Sequence, residues 1–80
     1  MEYLAYSPKT LGLQLKRVRK NKGLTQKQAG SALLLEQSTV SSVENGAPGT
    51  RLETLFRLLA ILELDMVLRP KKPVESLGEW

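Results

Sequence analysis

The sequence predicts a small, mainly α-helical bundle followed by a single β-strand. Apolar residues recur at helical spacing along four segments between residues 7 and 62, and caps and glycines separate these segments. After Leu64 the period changes to two, which is typical of a strand. Eighty residues form one domain, and such a domain buries only about 60% of its unfolded surface, so its core is marginal unless a partner adds to it.

The first predicted helix begins after Ser7 and ends at Gly23. Serine is a favoured N-cap, Pro8 suits the first helical position, and glycine suits the residue after the C-cap. The apolar residues at spacings of four and three predict the buried face: Leu11, Leu15 and Val18.

The second and third predicted helices are short and lie close together in the sequence. Thr25 and Gln28 form a capping box that opens the second helix, with an inner face of Ala29, Ala32 and Leu33. The pair Leu34-Leu35 connects it to a third helix at about residues 36–44, which has two inward residues, Val40 and Val43.

A turn-rich loop at residues 45–49 precedes the fourth predicted helix. Thr50 and Glu53 have the spacing of a second capping box, which would open this helix. Its apolar residues predict a buried stripe: Leu52, Leu55, Phe56, Leu59 and Leu62.

The alternation at residues 64–69 predicts a strand that Pro70 ends, with Leu64, Met66 and Leu68 on one face. A lone strand leaves its backbone groups unpaired. We expect it to pair with the same strand of a second copy in a two-fold homodimer, although a tail lying on its own domain is the alternative. The predicted organisation is an N-terminal arm at 1–6, the folded domain at 7–69 and a flexible tail at 70–80.

Composition argues against catalysis. The chain contains neither histidine nor cysteine and has no glycine-rich phosphate loop, so we expect no enzyme, no metal, no cofactor and no small-molecule substrate. It has no apolar run of the roughly 20 residues that span a bilayer, so we expect no membrane partner. The lack of cysteine and of a signal-like N-terminus favours the cytoplasm.

Positive charge is concentrated in the first half of the chain. Residues 1–35 hold seven basic residues and one acidic residue, whereas residues 36–80 hold five basic and seven acidic residues. Such a block suits a polyanion, and a solvated helix face is the alternative. The excess lies mainly in six residues: Lys16, Arg17, Arg19, Lys20, Lys22 and Lys27.

Two short helices joined tightly after a longer one form the plan of a helix-turn-helix, in which the second helix of the pair enters the DNA major groove. The outer face of the third predicted helix is polar, and four of its five residues are small enough to lie deep in a groove about 12 Å wide. Simple exposure to solvent is the alternative. These residues are Gln37, Ser38, Thr39, Ser41 and Ser42.

Three pieces of this sequence resemble the Xre/Cro-type helix-turn-helix family, in order and at that family's spacing. They are Gly23-Leu24-Thr25-Gln26, Gln37-Ser38-Thr39-Val40-Ser41 and Glu44-Asn45-Gly46. The resemblance implies a lambda-repressor-like bundle of four or five helices that binds double-stranded operator DNA as a dimer.

The same resemblance assigns roles to individual residues. It places Gln37 at the main base-reading position, where an amide can pair with adenine N6 and N7, with Ser38 and Ser42 beside it. It places Gln26 at a helix start that grips phosphate. The further expected phosphate contacts are Thr39, Ser41, Asn45 and Arg51.

The family pattern also implies a structural ion pair between Arg19 and Glu44, and this sequence departs from the pattern at two positions. Leu34 stands where glycine is common, so it either adopts a positive φ or changes the turn. Glu36 stands at the entry to the recognition helix, where it would repel phosphate. It could accept a hydrogen bond from cytosine N4, but capping the helix is the favoured role.

The ends of the chain resemble HipB-type antitoxins through Tyr6-Ser7-Pro8, residues 62–68 and Glu79-Trp80. That resemblance implies a dimeric autorepressor that binds and neutralises a HipA-type serine/threonine kinase toxin. It favours docking of Trp80, helped by Leu77, into the toxin, because tryptophan is a preferred anchor at interfaces. Without the resemblance, a Trp80 that folds back onto its own core or belongs to a disordered tail is the favoured alternative. The alternatives are a stand-alone Xre-type repressor and an interaction module that has lost DNA binding.

Overall fold

The computed structural model describes residues 2–71 and contains four α-helices in that range. They are α1 (Pro8–Asn21), α2 (Gln26–Ala32), α3 (Gln37–Glu44) and α4 (Leu52–Ile61). The predicted order and number of helices are confirmed. None of these helices is long and apolar enough to cross a membrane.

Helix α1 begins and ends as its sequence predicts. The Ser7 hydroxyl accepts from the Thr10 N–H at 3.1 Å, and the Thr10 hydroxyl accepts from the Ser7 N–H at 2.9 Å. At the other end Gly23 has a φ of +75°, and the Leu24 N–H donates to the Arg19 carbonyl at 3.2 Å. This is the geometry in which glycine ends a helix without strain.

Helix α2 opens with the predicted capping box. The Gln28 N–H donates to the Thr25 hydroxyl at 3.0 Å, and the Thr25 N–H donates to the Gln28 carboxamide at 2.8 Å. Ala29 is buried as predicted, but Ala32, the last residue of this seven-residue helix, is exposed. Leu33, which follows the helix, is half-buried and packs against the core.

The predicted capping box of the fourth helix is wrong. Arg51 is the N-cap of α4, and it makes no side-chain capping bond. The Thr50 hydroxyl instead donates to the Ala47 carbonyl at 3.0 Å, which uses it within the preceding loop. Glu53 pairs with Arg57 one turn along the helix at 3.1 Å.

The buried stripe of α4 is rotated relative to the predicted one. Leu58 is buried although it was not predicted to be, while Leu52 is 69% and Phe56 51% exposed. Helical geometry explains the shift, because residues 55, 58, 59 and 62 share one face and residues 52 and 56 fall at its edge. The resulting core comprises Leu15, Val18, Val40, Val43, Leu55, Leu58, Leu59 and Leu62.

Helices α1 and α3 approach each other closely at Gly12. A Cβ atom at this position would lie 2.5 Å from the carbonyl oxygens of Val43 and Glu44. The contact therefore needs glycine, and it places the end of α3 directly against α1.

The chain leaves α4 through a left-handed residue, Glu63, with a φ of +56°. The Leu64 N–H then donates to the Leu59 carbonyl at 2.9 Å, and Leu64 packs against the core. Lys22 contacts Glu63 at 2.7 Å, and this hydrogen bond together with the lysine charge lowers the pKa of Glu63 below its ordinary 4.5.

Residues 64–71 form neither helix nor strand in this single chain. Met66 and Leu68 are exposed, and Arg69 pairs with Glu2 at 3.0 Å, which ties the two ends of the described chain together. Pairing of the segment with a second copy stays a prediction. The expected toxin-docking residues, Leu77 and Trp80, lie outside the described residues.

Candidate nucleic-acid interface

The helix-turn-helix is formed by α2 and α3, which are joined by residues 33–36. Val40 and Val43 anchor α3 in the core, so its opposite face is turned away from the core. Among the predicted DNA contacts, Gln37, Ser38, Ser42, Asn45 and Arg51 are exposed, whereas Gln26, Thr39 and Ser41 are half-buried.

The three predicted base-reading residues therefore lie on the accessible part of α3. Gln37 is the first residue of α3 and Ser38 the second, so both lie at the N-terminal end of the helix. Ser42 follows Ser38 by four residues and lies on the same face. A helix with small hydroxyl side chains on this face is narrow enough to enter the major groove.

Arg19 and Glu44 form a buried ion pair between α1 and α3. Arg19 is 6% and Glu44 5% exposed. The guanidinium donates to Glu44 through Nε at 2.5 Å and Nη2 at 3.0 Å, and its Nη1 donates to the Leu24 carbonyl at 2.7 Å. Because the guanidinium is planar, these three hydrogen bonds fix α3 relative to α1 and to the turn that leads from α1 to α2.

Gln26 joins this cluster. Its Nε2 donates to Glu44 Oε1 at 3.1 Å, so the carboxamide expected to grip phosphate is engaged inside the protein. A phosphate contact would have to come from the N-terminal turn of α2 or from a rearranged side chain. The family pattern predicted the Arg19–Glu44 pair, but nothing in the sequence indicated that Gln26 would join it. A glutamine at the start of a helix can bind phosphate or a carboxylate within the protein, and the sequence does not distinguish the two roles.

The loop after α3 brings together several predicted phosphate contacts. Asn45 Nδ2 donates to the Ser41 hydroxyl at 3.4 Å. Gly46 then takes a φ of +82°, and a Cβ there would lie 2.6 Å from Cα of Lys9, so the turn requires glycine for both reasons. A shallow groove runs between this loop and α3, with Thr39, Ser42 and Arg51 among its lining residues.

Glu36 does not act as expected. It is the N-cap residue of α3, but its side chain makes no capping hydrogen bond. The favoured capping role is therefore wrong. The Glu36 carboxylate lies toward Ser38 instead, and the Ser38 hydroxyl donates to Glu36 Oε2 at 3.4 Å. At the neighbouring departure, Leu34 adopts a φ of +59° and is 93% exposed, so the turn keeps the shape that glycine favours.

The basic block divides into two groups in the structure. Arg19 is used in the buried pair and Lys22 in the contact with Glu63. The remaining four side chains are exposed or half-buried and supply the positive charge that a polyanion would meet: Lys16, Arg17, Lys20 and Lys27.

Comparisons with known proteins identify the family. Residues 10–71 match the model of a helix-turn-helix domain family. Over 63 residues the chain is 40% identical to the antitoxin HipB of Escherichia coli, a match that covers 79% of this chain and 72% of that protein. This chain belongs to the HipB family of helix-turn-helix antitoxins.

Solved HipB structures resemble the whole described fold. HipB in a complex with an O4 20mer is 38% identical, with a TM-score of 0.81 over 86% of this chain and 97% of that chain. A serine-to-alanine variant of HipB with an O2 20mer is 36% identical, with a TM-score of 0.84 over 90% and 100% of the two chains. HipB from a HipA–HipB–O2–O3 complex is 38% identical, with a TM-score of 0.81 over 86% and 97%.

Proposed function

We propose that this member of the HipB family is a homodimeric, sequence-specific DNA-binding antitoxin that represses its own promoter and neutralises a HipA-type serine/threonine kinase. One observation carries the proposal: HipB in the HipA–HipB–O2–O3 complex matches 86% of this chain at 38% identity. The proposed role is that of a binding protein in the cytoplasm and not of an enzyme.

The DNA-binding part of the proposal rests on the exposed face of α3. Gln37, Ser38 and Ser42 read base edges, with the Gln37 carboxamide suited to adenine N6 and N7. Phosphate contacts come from the N-terminal turn of α2 at Gln26 and from four residues at or after α3: Thr39, Ser41, Asn45 and Arg51.

The toxin-binding part rests on family membership and on the terminal Glu79-Trp80. Trp80, assisted by Leu77, docks into the kinase, because a large amphipathic ring gains most when a partner's pocket removes it from water. The two binding activities then belong to separate parts of the chain, so each can be lost without the other.

DNA binding is tested by fluorescence anisotropy with duplexes cut from the sequence upstream of the gene, against scrambled duplexes of equal length. We expect one upstream duplex to bind at least 1,000-fold more tightly than its scramble, as is usual for specific binders. Affinity should fall steeply between about 50 and 200 mM salt as phosphate contacts release counterions. Equal binding to both duplexes would refute sequence-specific recognition, and no binding to either would favour the interaction-module alternative.

Toxin binding is tested by co-purification with a HipA-type kinase of the native host. The full chain should retain the kinase, and a chain that ends at Pro70 should lose it while keeping its affinity for the upstream duplex. Gln37→Ala is the reciprocal control, since it should weaken DNA binding and keep the kinase. If the full chain retains no kinase, the stand-alone repressor is the correct description.

A further inference from the structure

Glu36 is unusual among the glutamates of the described residues. Four of the five glutamates in residues 2–71 form ion pairs, and Glu36 is the one that does not. It is exposed, and its side chain makes no capping bond to α3. Neither a capping hydrogen bond nor an ion pair within the described residues therefore accounts for a carboxylate at this position, and the attraction of the helix dipole adds only about 0.3–1 kcal/mol.

The carboxylate lies at the leading end of the proposed reading face. Glu36 directly precedes Gln37, and the Ser38 hydroxyl donates to its Oε2 at 3.4 Å. This contact turns the side chain along the start of α3, beside two residues proposed to read bases. When α3 lies in the major groove, the carboxylate reaches the groove together with them.

A carboxylate in that place selects among the base edges. It accepts hydrogen bonds and donates none, so it is repelled by the acceptor atoms of guanine and thymine. Adenine offers an amino group at N6 but an acceptor at the adjacent N7, which an amide can satisfy and a carboxylate cannot. Cytosine offers N4 as a donor, which leaves it as the base that matches the carboxylate.

We infer that Glu36 is a specificity-determining residue that accepts a hydrogen bond from cytosine N4 in each half-site. The inference rests on the proposed DNA-binding function and adds one base to it. Repulsion between the carboxylate and the phosphates weakens binding to every duplex, and the cytosine contact offsets this loss only on duplexes that place cytosine correctly. Glu36 thus excludes other sequences as well as choosing its own.

The test compares the full-length wild type with Glu36→Ala by selection from a pool of random 20-base-pair duplexes. Glu63→Ala is the matched control, because it removes an exposed glutamate that lies after α4 and outside the proposed interface. Affinities are then measured for the selected duplex and for every single base-pair replacement, at one salt concentration, with circular dichroism as a check on folding.

We expect the wild type and Glu63→Ala to require a C·G pair at one position of each half-site. Glu36→Ala should lose that preference, by roughly ten-fold or more per half-site, while keeping the preferences at other positions and binding scrambled DNA more tightly. If Glu36→Ala keeps the wild-type ranking at every position and binds all duplexes more tightly by one factor, the carboxylate only repels and the inference is overturned. A wild type that selects no sequence at all would instead overturn the proposed function on which the inference rests.

Discussion

At the scale of single residues, Leu34 and the Arg19–Glu44 pair differ in how far they depend on burial. Leu34 holds a left-handed conformation with its side chain in solvent, so it bears the steric cost of a positive φ and gains almost no burial in return. Arg19 and Glu44 are the opposite case, since each is buried and each depends on the other.

Leu34→Gly is expected to stabilise the protein. Removing the strain of a left-handed leucine raises the free energy of unfolding by about 1–2 kcal/mol. The greater freedom of glycine in the unfolded chain lowers it by about 0.5–1 kcal/mol. The net gain should raise the midpoint of thermal unfolding by a few degrees. Leu13→Gly is the control: Leu13 is also exposed but lies within α1, so its replacement should lower the midpoint.

Arg19→Ala is expected to unfold the protein or nearly so. It leaves the Glu44 carboxylate buried without its cation, and losing one partner of a buried pair costs about 3–5 kcal/mol, a large part of the stability of a small domain. Arg17→Ala removes the same charge from an exposed position and should change stability little. Chemical denaturation measures both, and similar midpoints for the two variants would contradict the structural role of the pair.

At the scale of helices, the position of α3 follows from how closely α1 approaches it. Gly12 allows the backbone of α1 to touch the last carbonyls of α3, and the ion pair lies at the same end of α3. The other end of α3, with Gln37 and Ser38, is left exposed. The C-terminal end of α3 is thus fixed against α1, and its N-terminal end is exposed and accessible to DNA.

Gly12→Ala tests this packing against intrinsic helix propensity. Alanine favours a helix interior by about 1 kcal/mol over glycine, but here its methyl group would meet two backbone carbonyls and cost about 1–3 kcal/mol or more. We expect a net loss of stability and weaker DNA binding. Gly49→Ala is the control, since a Cβ there meets nothing within 4 Å. A higher midpoint of thermal unfolding for Gly12→Ala than for the wild type would show that α1 can move away from α3.

The exposed end of α3 makes a separate prediction about specificity. Gln37→Ala should reduce affinity for the preferred duplex by about 1–3 kcal/mol per half-site and relax the preference at one base pair. Gln26→Ala should lower affinity for all duplexes with little change in preference, because it loosens the start of α2 from Glu44. Competition binding with single base-pair variants separates the two patterns, and an unchanged preference in Gln37→Ala would remove it from the reading face.

At the scale of the whole molecule, a single chain exposes large apolar side chains near its C-terminal segment, and their contact with water contributes nothing to the stability of a monomer. Phe56 on α4 and both Met66 and Leu68 after it are exposed, and Leu68 is 90% accessible. The predicted two-fold pairing of residues 64–69 would cover one face of this segment. A two-fold dimer would also carry two recognition helices, one for each half-site of an operator.

Leu68→Asp is expected to dissociate the dimer. In a paired strand Leu68 shares a face with Leu64, whose side chain packs on the core, while Val67 points to the other side. Val67→Asp is therefore the matched control and should leave a dimer. Sedimentation at micromolar concentration distinguishes them, and a wild type that sediments as a monomer would refute the shared strand itself.

Local sequence determined the number and order of the helices, the caps of α1 and α2 and the glycine that ends α1, because these depend on residues within one turn of each other. Family spacing likewise placed Arg19 opposite Glu44 and Gln37 at the head of α3. Tertiary structure decided what local spacing leaves open. It selected the buried face of α4 and drew Gln26 to Glu44. Thr50 and Glu36 depart from their expected capping roles through neighbours two or three positions away, because local spacing there allows more than one pairing. The tertiary outcomes could not be predicted from local spacing, because each depends on which partner from elsewhere in the fold lies within reach.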